Sequence, residues 1–360
     1  RCGTKVKEDR PLKAVFLDRH GGPDVLQYGD ILEANVGSHD VKIEVRACAL
    51  NRLDLYSRAG SRGTKRIFNG PHVLGSDVAG DVVEIGSEVN NVAIGMRVLV
   101  NPLVTCMQCS NCMSGSVELC AASGMVGSTL NGGYAEDTVV PAANVIPLPE
   151  SISYSEGASL PTVFMPSWNI IVRTANLQSW ETILVPSASS GVGSAAIQLA
   201  KKIVGAKVIT TTSTSIKADK ASDLGADFVI NYKEEDMAVR IDEITNGIGV
   251  DVVIDHVGSD IWDVVNKSLS KGCRYGICGV TSGYRAELQM GYLFTNQVTI
   301  FGVFMGRRRD LEQVLEHVKR GTINGVIHAE YPMSEARKAH EDMEKLNYFG
   351  KLVLVADRFA

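Results

Sequence analysis

Ile183-Leu-Val-Pro-Ser-Ala-Ser-Ser-Gly191-Val-Gly193-Ser-Ala-Ala-Ile-Gln-Leu-Ala200 is the stretch on which the reading of this chain turns. An apolar run enters a turn of small residues, and helical spacing follows at once. Small residues let the backbone approach a pyrophosphate. The helix that follows offers free N–H groups and the positive end of its dipole. A glycine cluster alone is a weak signal, because a tight turn needed only for packing looks the same. Its place between a strand and a helix is what gives it weight. The usual G-x-G-x-x-G spacing would put glycines at 188, 190 and 193. Ala188 and Ser190 stand in two of those places and Gly191 is added, which points to an altered phosphate path rather than to loss of the site.

Working outward, Thr182–Val185 reads as a strand and Val192–Ile203 as a helix. Lys207–Thr211 is a strand and Ile216–Leu224 a helix. Phe228–Ile230, Val250–Asp255 and Cys273–Cys278 are further strands. Such alternation predicts βαβ units, a parallel sheet and right-handed crossovers. Before about residue 155 the texture differs. Val41–Val45, Val78–Ile85 and Val98–Val100 are short β-like runs broken by turn residues, which predicts a small β-rich unit. From about Val303 onward we expect a helix around Leu311–Val318 and a closing strand at Lys351–Val355.

About 20 residues past the glycine turn, an NAD site places Asp or Glu against the ribose hydroxyls. Here Thr210-Thr-Thr-Ser-Thr-Ser215 carries no carboxylate, and Lys217 follows. Hydroxyls and a lysine suit a 2′-phosphate through charge-assisted hydrogen bonds, so NADP(H) is the expected cofactor. Ser213 or Thr214 can at the same time cap the next helix.

Of 360 residues, 45% are apolar and 21% charged, a globular composition with enough chain to bury a large core. The net charge of −5 gives no global basic field for nucleic acid or an anionic membrane. No run of membrane-spanning length stands out, and Arg1–Arg10 is charged rather than apolar. Four of eight cysteines crowd into Cys106-x2-Cys109-x2-Cys112-x7-Cys120. Four thiolates suit a closed tetrahedral Zn²⁺ site that stiffens a loop and leaves no position open to substrate. An iron–sulfur centre is the rival reading, although Ala121 rather than proline follows Cys120. Clustered thiolates imply a reducing, cytoplasmic setting. Cys2, Cys48, Cys273 and Cys278 read as ordinary thiols.

Several stretches together resemble the medium-chain dehydrogenase/reductase superfamily, and within it the quinone-oxidoreductase-like branch. They are His20-Gly-Gly-Pro-Asp-Val-Leu, Ala49-Leu-Asn51-Arg-Leu-Asp54, Leu74-Gly-Ser76-Asp77-Val-Ala-Gly80, the four-cysteine lobe, the Ser-Gly-Val-Gly turn, Leu224-Gly-Ala-Asp-Phe-Val-Ile-Asn231-Tyr232 and Gly350-Lys351-Leu352. The resemblance implies an α/β protein: a GroES-like β-rich catalytic domain plus a Rossmann doubly wound parallel sheet. The expected division is 1–157 with a zinc lobe at about 104–122, then 158–302, then 303–360 returning to the catalytic domain. It also implies a homodimer or homotetramer acting on a small-molecule substrate.

In the alcohol dehydrogenase branch a catalytic zinc is held by a Cys, a His and a further Cys or acidic residue. By resemblance these positions carry Asn51, Ser76 and Thr162 here, none a good zinc ligand. Where a Lewis-acid cation would sit, the cleft is expected to offer one amide and two hydroxyls, and His72 is read as a loop or core histidine. Without that cation, hydride transfer is best served by an acceptor that already spreads charge onto an oxygen. The resemblance places Asn51 and Thr162 beside the nicotinamide. Ser190, Gly191, Val192 and Gly193 fall at the pyrophosphate, and Ser213, Lys217 and Tyr232 around the 2′-phosphate. Gly279, Phe304 and Lys351 are further cofactor contacts, and Tyr56 is a proton-donor or substrate-contact candidate.

The function expected is NADPH-dependent reduction of a quinone or an α,β-unsaturated carbonyl compound. An enoyl thioester is a special case, for which Arg58, Arg62, Lys65 and Arg66 would meet CoA phosphates, a run explained more simply as a solvated loop. An alcohol or aldehyde dehydrogenase-like activity and a non-catalytic NADPH-binding protein are the alternatives.

Overall fold

A computed structural model describes residues 11–360; Arg1–Arg10, with Cys2, lie outside the described residues. Two sheets dominate. The second, in chain order, is the simpler. Its strands are β11 (Thr182–Val185), β12 (Lys207–Thr212), β13 (Phe228–Asn231), β14 (Val250–Asp255), β15 (Leu269–Ile277) and β16 (Thr299–Gly302). They lie in the order β13-β12-β11-β14-β15-β16, all parallel. Ile183, Leu184 and Val185 are fully buried, as expected of a central strand covered on both faces. The order reverses between β11 and β14, and a doubly wound sheet opens its ligand crevice at that switch point, beyond the carboxyl ends of the strands.

The catalytic unit contributes β1 (Pro11–Leu17), β2 (Gln27–Leu32), β3 (Asp40–Ala49), β4 (His72–Val73), β5 (Asp77–Ile85), β6 (Arg97–Val100), β7 (Leu103–Val104), β8 (Gly124–Met125), β9 (Asp137–Pro141) and β10 (Val145–Pro147). After the parallel sheet the chain returns through β17 (Ile327–Pro332) and β18 (Lys351–Val355), and β18 pairs antiparallel with β3. The seven-stranded sheet runs β10-β6-β5-β3-β18-β17, with β9 also on β3. Strand β3 is therefore central: Ala49 at its end faces Asp77 of β5 on one side and Val353 of β18 on the other.

One apolar cluster joins the two sheets, running from Ala49, Ala79 and Leu99 through Val163, Phe164 and Trp168 to Ile183, Val185 and Ala195. The helix Pro161–Trp168 stands in the middle of it. Pro161 opens this helix at a position that needs no N–H, and Pro166 inside it withholds the N–H that would reach back to Thr162. Those two prolines hid the helix from the sequence reading. The other predicted elements fall close to place. The strand expected at Cys273–Cys278 begins earlier, at Leu269, and the late helix extends to Arg308–Lys319. No helix among the described residues is long and apolar enough to cross a membrane.

Candidate active site

The register of three strands builds the site. Asn51 follows the end of β3 and caps the helix Arg52–Ala59, in a capping box with Asp54. Asp77 opens β5, Lys351 opens β18, and Thr162 stands in the first turn of the helix Pro161–Trp168. Asp77 is fully buried and Lys351 nearly so, and the pair lies at 3.0 Å.

The four side chains close on one another. Asp77 Oδ2 accepts from Asn51 Nδ2 at 3.0 Å, from Thr162 Oγ1 at 2.5 Å and from Lys351 Nζ, while Asp77 Oδ1 accepts the backbone N–H of Thr162 at 3.1 Å. Asn51 Oδ1 receives Lys351 Nζ at 2.5 Å and lies 2.5 Å from Thr162 Oγ1. A buried charge is tolerated only when paired and hydrogen-bonded, and here four donors meet one carboxylate. This corrects the expectation that an amide and two hydroxyls face the substrate. The Asn51 amide and the Thr162 hydroxyl, on partly exposed residues, are already engaged with each other and with Asp77, and the Ser76 hydroxyl is buried without a partner. Burial raises the Asp54 carboxyl to about 6, against the Asn51 and Gly75 backbone N–H groups that bond its anion.

The glycine turn sits at the switch point. Ser190 caps the helix Gly191–Gln198, its Oγ accepting the Gly193 N–H at 2.8 Å. His256, the first residue after β14, places Nε2 2.7 Å from the same Oγ, and burial lowers its imidazole to about 4. A Cβ on Gly193 would lie 2.2 Å from the Ser187 carbonyl oxygen, so only glycine fits there. Val192 is partly buried against the core. Gly279 lies over the His256 backbone, and Phe304 and Tyr232 are about half exposed. Thr214, not Ser213, caps the helix Ser215–Leu224, and Lys217 Nζ donates to the Leu346 carbonyl at 2.9 Å.

Tyr56 is not hydrogen-bonded to the Asn51 group. Its ring lies under the Arg62 guanidinium at 4.9 Å, and burial raises its hydroxyl while Arg62 opposes. The basic run is corrected as well, since most of it is built in rather than solvated. Arg58 is 3% exposed and bonds His340 and Glu344, Arg62 donates to the Val280 and Thr281 carbonyls, and Arg66 donates to the Ser128 carbonyl. His72 is a core histidine between Asn131 and the Gly127 carbonyl.

The four sulfurs of Cys106, Cys109, Cys112 and Cys120 lie within 4.8 Å of one another, with Cys106 3.5 Å from Cys120 and 3.9 Å from Cys112. A tetrahedron with Zn–S bonds of about 2.3 Å has edges of about 3.8 Å, so the set fits zinc. Among the described residues it is the single cluster of three or more His, Cys, Asp or Glu with that capacity. The backbone N–H groups of Gln108 and Cys109 lower the Cys106 thiol to about 6, while burial and the neighbouring sulfurs raise the Cys112 thiol to about 11. Between Cys112 and Cys120, Glu118 bonds Arg173 and Arg307 and ties the lobe to the body.

What sequence reasoning missed is Asp77 in this role, Asp54, and the Ser190–His256 contact. A signal existed: Lys351 opens an otherwise apolar strand, and a lone charge at such a place demands a partner of opposite sign, for which Asp77 at the head of β5 was available.

Comparison with known proteins agrees with this architecture. The family described as alcohol dehydrogenase GroES-like domain matches residues 37–150, and the one described as zinc-binding dehydrogenase matches 191–320. The chain is 30% identical over 353 residues to an NAD-dependent alcohol dehydrogenase of Saccharolobus solfataricus, covering 96% of this chain and 100% of that protein. It is also 30% identical over 355 residues to a quinone oxidoreductase of Pseudomonas aeruginosa, covering 95% and 99%. A solved NAD-dependent alcohol dehydrogenase is 35% identical and superimposes with a TM-score of 0.91 over 96% of this chain and 99% of that one. The two domain matches, the relatives that span the whole chain and the switch-point sheet converge: this chain belongs to the medium-chain dehydrogenase/reductase superfamily and is an oxidoreductase.

Proposed function

We propose that this oxidoreductase uses NADPH to deliver hydride to an already activated acceptor, a quinone or an α,β-unsaturated carbonyl compound, without a catalytic zinc. One observation carries the reading. The residues at the expected zinc-ligand positions, Asn51, Ser76 and Thr162, cannot ligate zinc well, and two of them are tied to an internal Asp77–Lys351 ion pair. An unactivated alcohol would need a Lewis acid to hold its alkoxide, whereas an enone or quinone carries its own electron sink.

A bound nicotinamide supplies the hydride. This chain's residues hold and orient it. Gly191, Val192, Gly193 and the Ser190 cap form the pyrophosphate seat at the helix N-terminus. Ser213, Lys217 and Tyr232 face the adenosine ribose, where the absence of a carboxylate favours the 2′-phosphate of NADP. Gly279 and Phe304 line the nicotinamide side, and Tyr56 meets the substrate. Cys106, Cys109, Cys112 and Cys120 would hold one Zn²⁺ that stiffens the lobe and takes no part in hydride transfer. The same reading divides the chain near residues 157 and 302 and assembles it as a homodimer or homotetramer.

The test is NADPH consumption followed against 1,4-quinones, enones, enoyl-CoA thioesters and aldehydes. The reading expects turnover of quinones or enones well above that of aldehydes, and NADPH preferred to NADH. Preference for alcohols and aldehydes with NAD(H) would replace it with the activity borne by the alcohol dehydrogenase relatives. NADPH binding without turnover of any acceptor would make the chain a non-catalytic binder.

A further inference from the structure

Counting donors at the Asn51 group shows which proton is left for a substrate. Both Asn51 amide hydrogens have acceptors, the Asp77 carboxylate at 3.0 Å and the Ala49 carbonyl at 3.4 Å. Thr162 has one hydroxyl hydrogen and two acceptors for it, Asn51 Oδ1 and Asp77 Oδ2, each 2.5 Å from its Oγ1. Lys351 has three ammonium hydrogens and two acceptors, Asn51 Oδ1 and Asp77 Oδ2. The third meets no acceptor among the described residues.

The backbone fixes where that ammonium stands. Gly350 has φ +95° and donates its N–H to the Ser189 carbonyl at 2.9 Å, so the residue before the lysine is tied to the glycine turn. A Cβ on Gly191 would lie 3.0 Å from Lys351 Cδ, so the lysine stem passes directly beneath the glycine turn. Its head reaches Asn51, which stands at a position where the alcohol dehydrogenase branch carries a zinc ligand. A fixed positive charge thus occupies the place of a Lewis acid.

We propose that Lys351 is a catalytic residue, its free ammonium N–H hydrogen-bonding the acceptor's carbonyl oxygen, with Asp77, Asn51 and Thr162 positioning it. This rests on the proposed hydride transfer and names the electrophile. Hydride from the dihydronicotinamide forms a C–H bond at the β-carbon. The α,β π-bond pair moves to join the α-carbon to the carbonyl carbon, the C=O π pair goes to oxygen, and the nicotinamide is oxidised. The resulting enolate oxygen is held by the Lys351 N–H until water supplies the proton; in the quinone case hydride goes to one carbonyl oxygen, the ring π pairs shift to aromatise it, and the opposite oxygen, left as the hydroquinone monoanion, takes the same N–H. Removing one preorganised donor of this kind costs about 10²–10³-fold in rate.

The experiment uses the zinc-loaded full chain with Lys351→Met and Lys351→Arg. NADPH affinity is read by fluorescence, and kcat/KM on whichever acceptor the wild type reduces best. At saturating NADPH, Lys351→Met is expected to lower kcat/KM for the acceptor by about 10²–10³-fold, beyond any change in NADPH affinity, and Lys351→Arg to recover part of the loss. A Lys351→Met enzyme within threefold of wild type overturns the proposal.

A second readout needs no turnover. 4-Nitrophenol bound to the NADP⁺ complex mimics the enolate oxygen, and its absorbance reports its ionisation. The wild type should depress its apparent pKa, and Lys351→Met should abolish the depression. Failure of the wild-type complex to bind the phenolate or to shift it also overturns the proposal. Should the wild type reduce none of the quinones and enones yet shift the phenolate in a Lys351-dependent way, the functional reading falls while the lysine assignment stands. If loss of the ion pair unfolds Lys351→Met, the double variant Asp77→Asn/Lys351→Met removes both charges and carries the same two readouts.

Discussion

Acidification should unfold this protein steeply, through three buried histidines. His72, His256 and His340 are 5%, 7% and 0% exposed. Burial lowers His72 to about 4, with the Arg66 charge adding to it, and lowers His256 to about 4. Burial and the Arg58 charge lower His340 to about 3. The His340 case has a visible cause. Arg58 Nη1 can only donate, so His340 Nδ1 must accept, which leaves the proton on Nε2 facing Tyr134 Oη at 3.2 Å.

A histidine whose folded pKa is depressed stabilises the fold above its unfolded value of about 6.5, and that contribution is lost as pH falls toward the folded value. At pH 5 each unfolded imidazole is charged while each native one is neutral. That is about 2 kcal/mol apiece, or about 6 kcal/mol for three. Asp54 works the other way. Its carboxyl is raised to about 6 by burial, so its contribution is present below the ordinary carboxylate value and lost as pH rises through about 6; it returns about 1 kcal/mol by pH 5. For these four groups the net loss from pH 8 to pH 5 is about 5 kcal/mol, a large share of a typical stability. Urea midpoints followed by circular dichroism at pH 8, 6.5 and 5 measure it. His340→Gln keeps an acceptor for Arg58 and a donor for Tyr134, and should lower the pH dependence by about 2 kcal/mol, roughly two-fifths of the net loss. A midpoint that does not move between pH 8 and pH 5, or a His340→Gln variant with the full wild-type dependence, would refute the reasoning.

Three further substitutions probe other parts of the account. Gly193→Ala drives a Cβ to 2.2 Å from the Ser187 carbonyl oxygen; dinucleotide affinity in a fluorescence titration should fall more than about tenfold, and retained affinity would count against this turn as the pyrophosphate seat. Lys217→Ala should weaken NADPH by about tenfold or more, the worth of a charge-assisted hydrogen bond, and leave NADH nearly unchanged; equal losses would show that Lys217 does not read the 2′-phosphate. Glu118→Gln removes the negative charge that pairs Arg173 at 2.9 Å and Arg307 at 3.0 Å. With both arginines partly exposed, the loss should be about 1–2 kcal/mol by urea denaturation with zinc retained, and an unchanged midpoint would show that the lobe is not latched there.

The parallel sheet was legible because its strands are continuous apolar runs with glycine or hydroxyl residues at their ends, and β11 and β18 fall at their predicted bounds. The helix Pro161–Trp168 was not legible, because its two prolines argue locally against a helix that tertiary packing nonetheless holds. The cysteine lobe could be read from spacing alone, since its ligands are local in sequence. The Asn51 group could not. Asn51, Asp77, Thr162 and Lys351 span 300 positions between the outermost two, and their meeting depends on a strand register that periodicity does not encode. For the same reason the basic run from Arg58 to Arg66 looked solvated: its partners are remote in sequence, His340 and Val280 more than 200 residues away and Ser128 62 residues away.

Zinc content most directly tests the claim that hydride transfer here proceeds without a metal in the cleft. After saturation with zinc and removal of loosely bound ion, the purified chain should hold one equivalent, and a Cys106→Ser/Cys109→Ser variant should hold none. Two equivalents in the wild type, or one persisting in that variant, would put a metal outside the cysteine lobe and contradict the account.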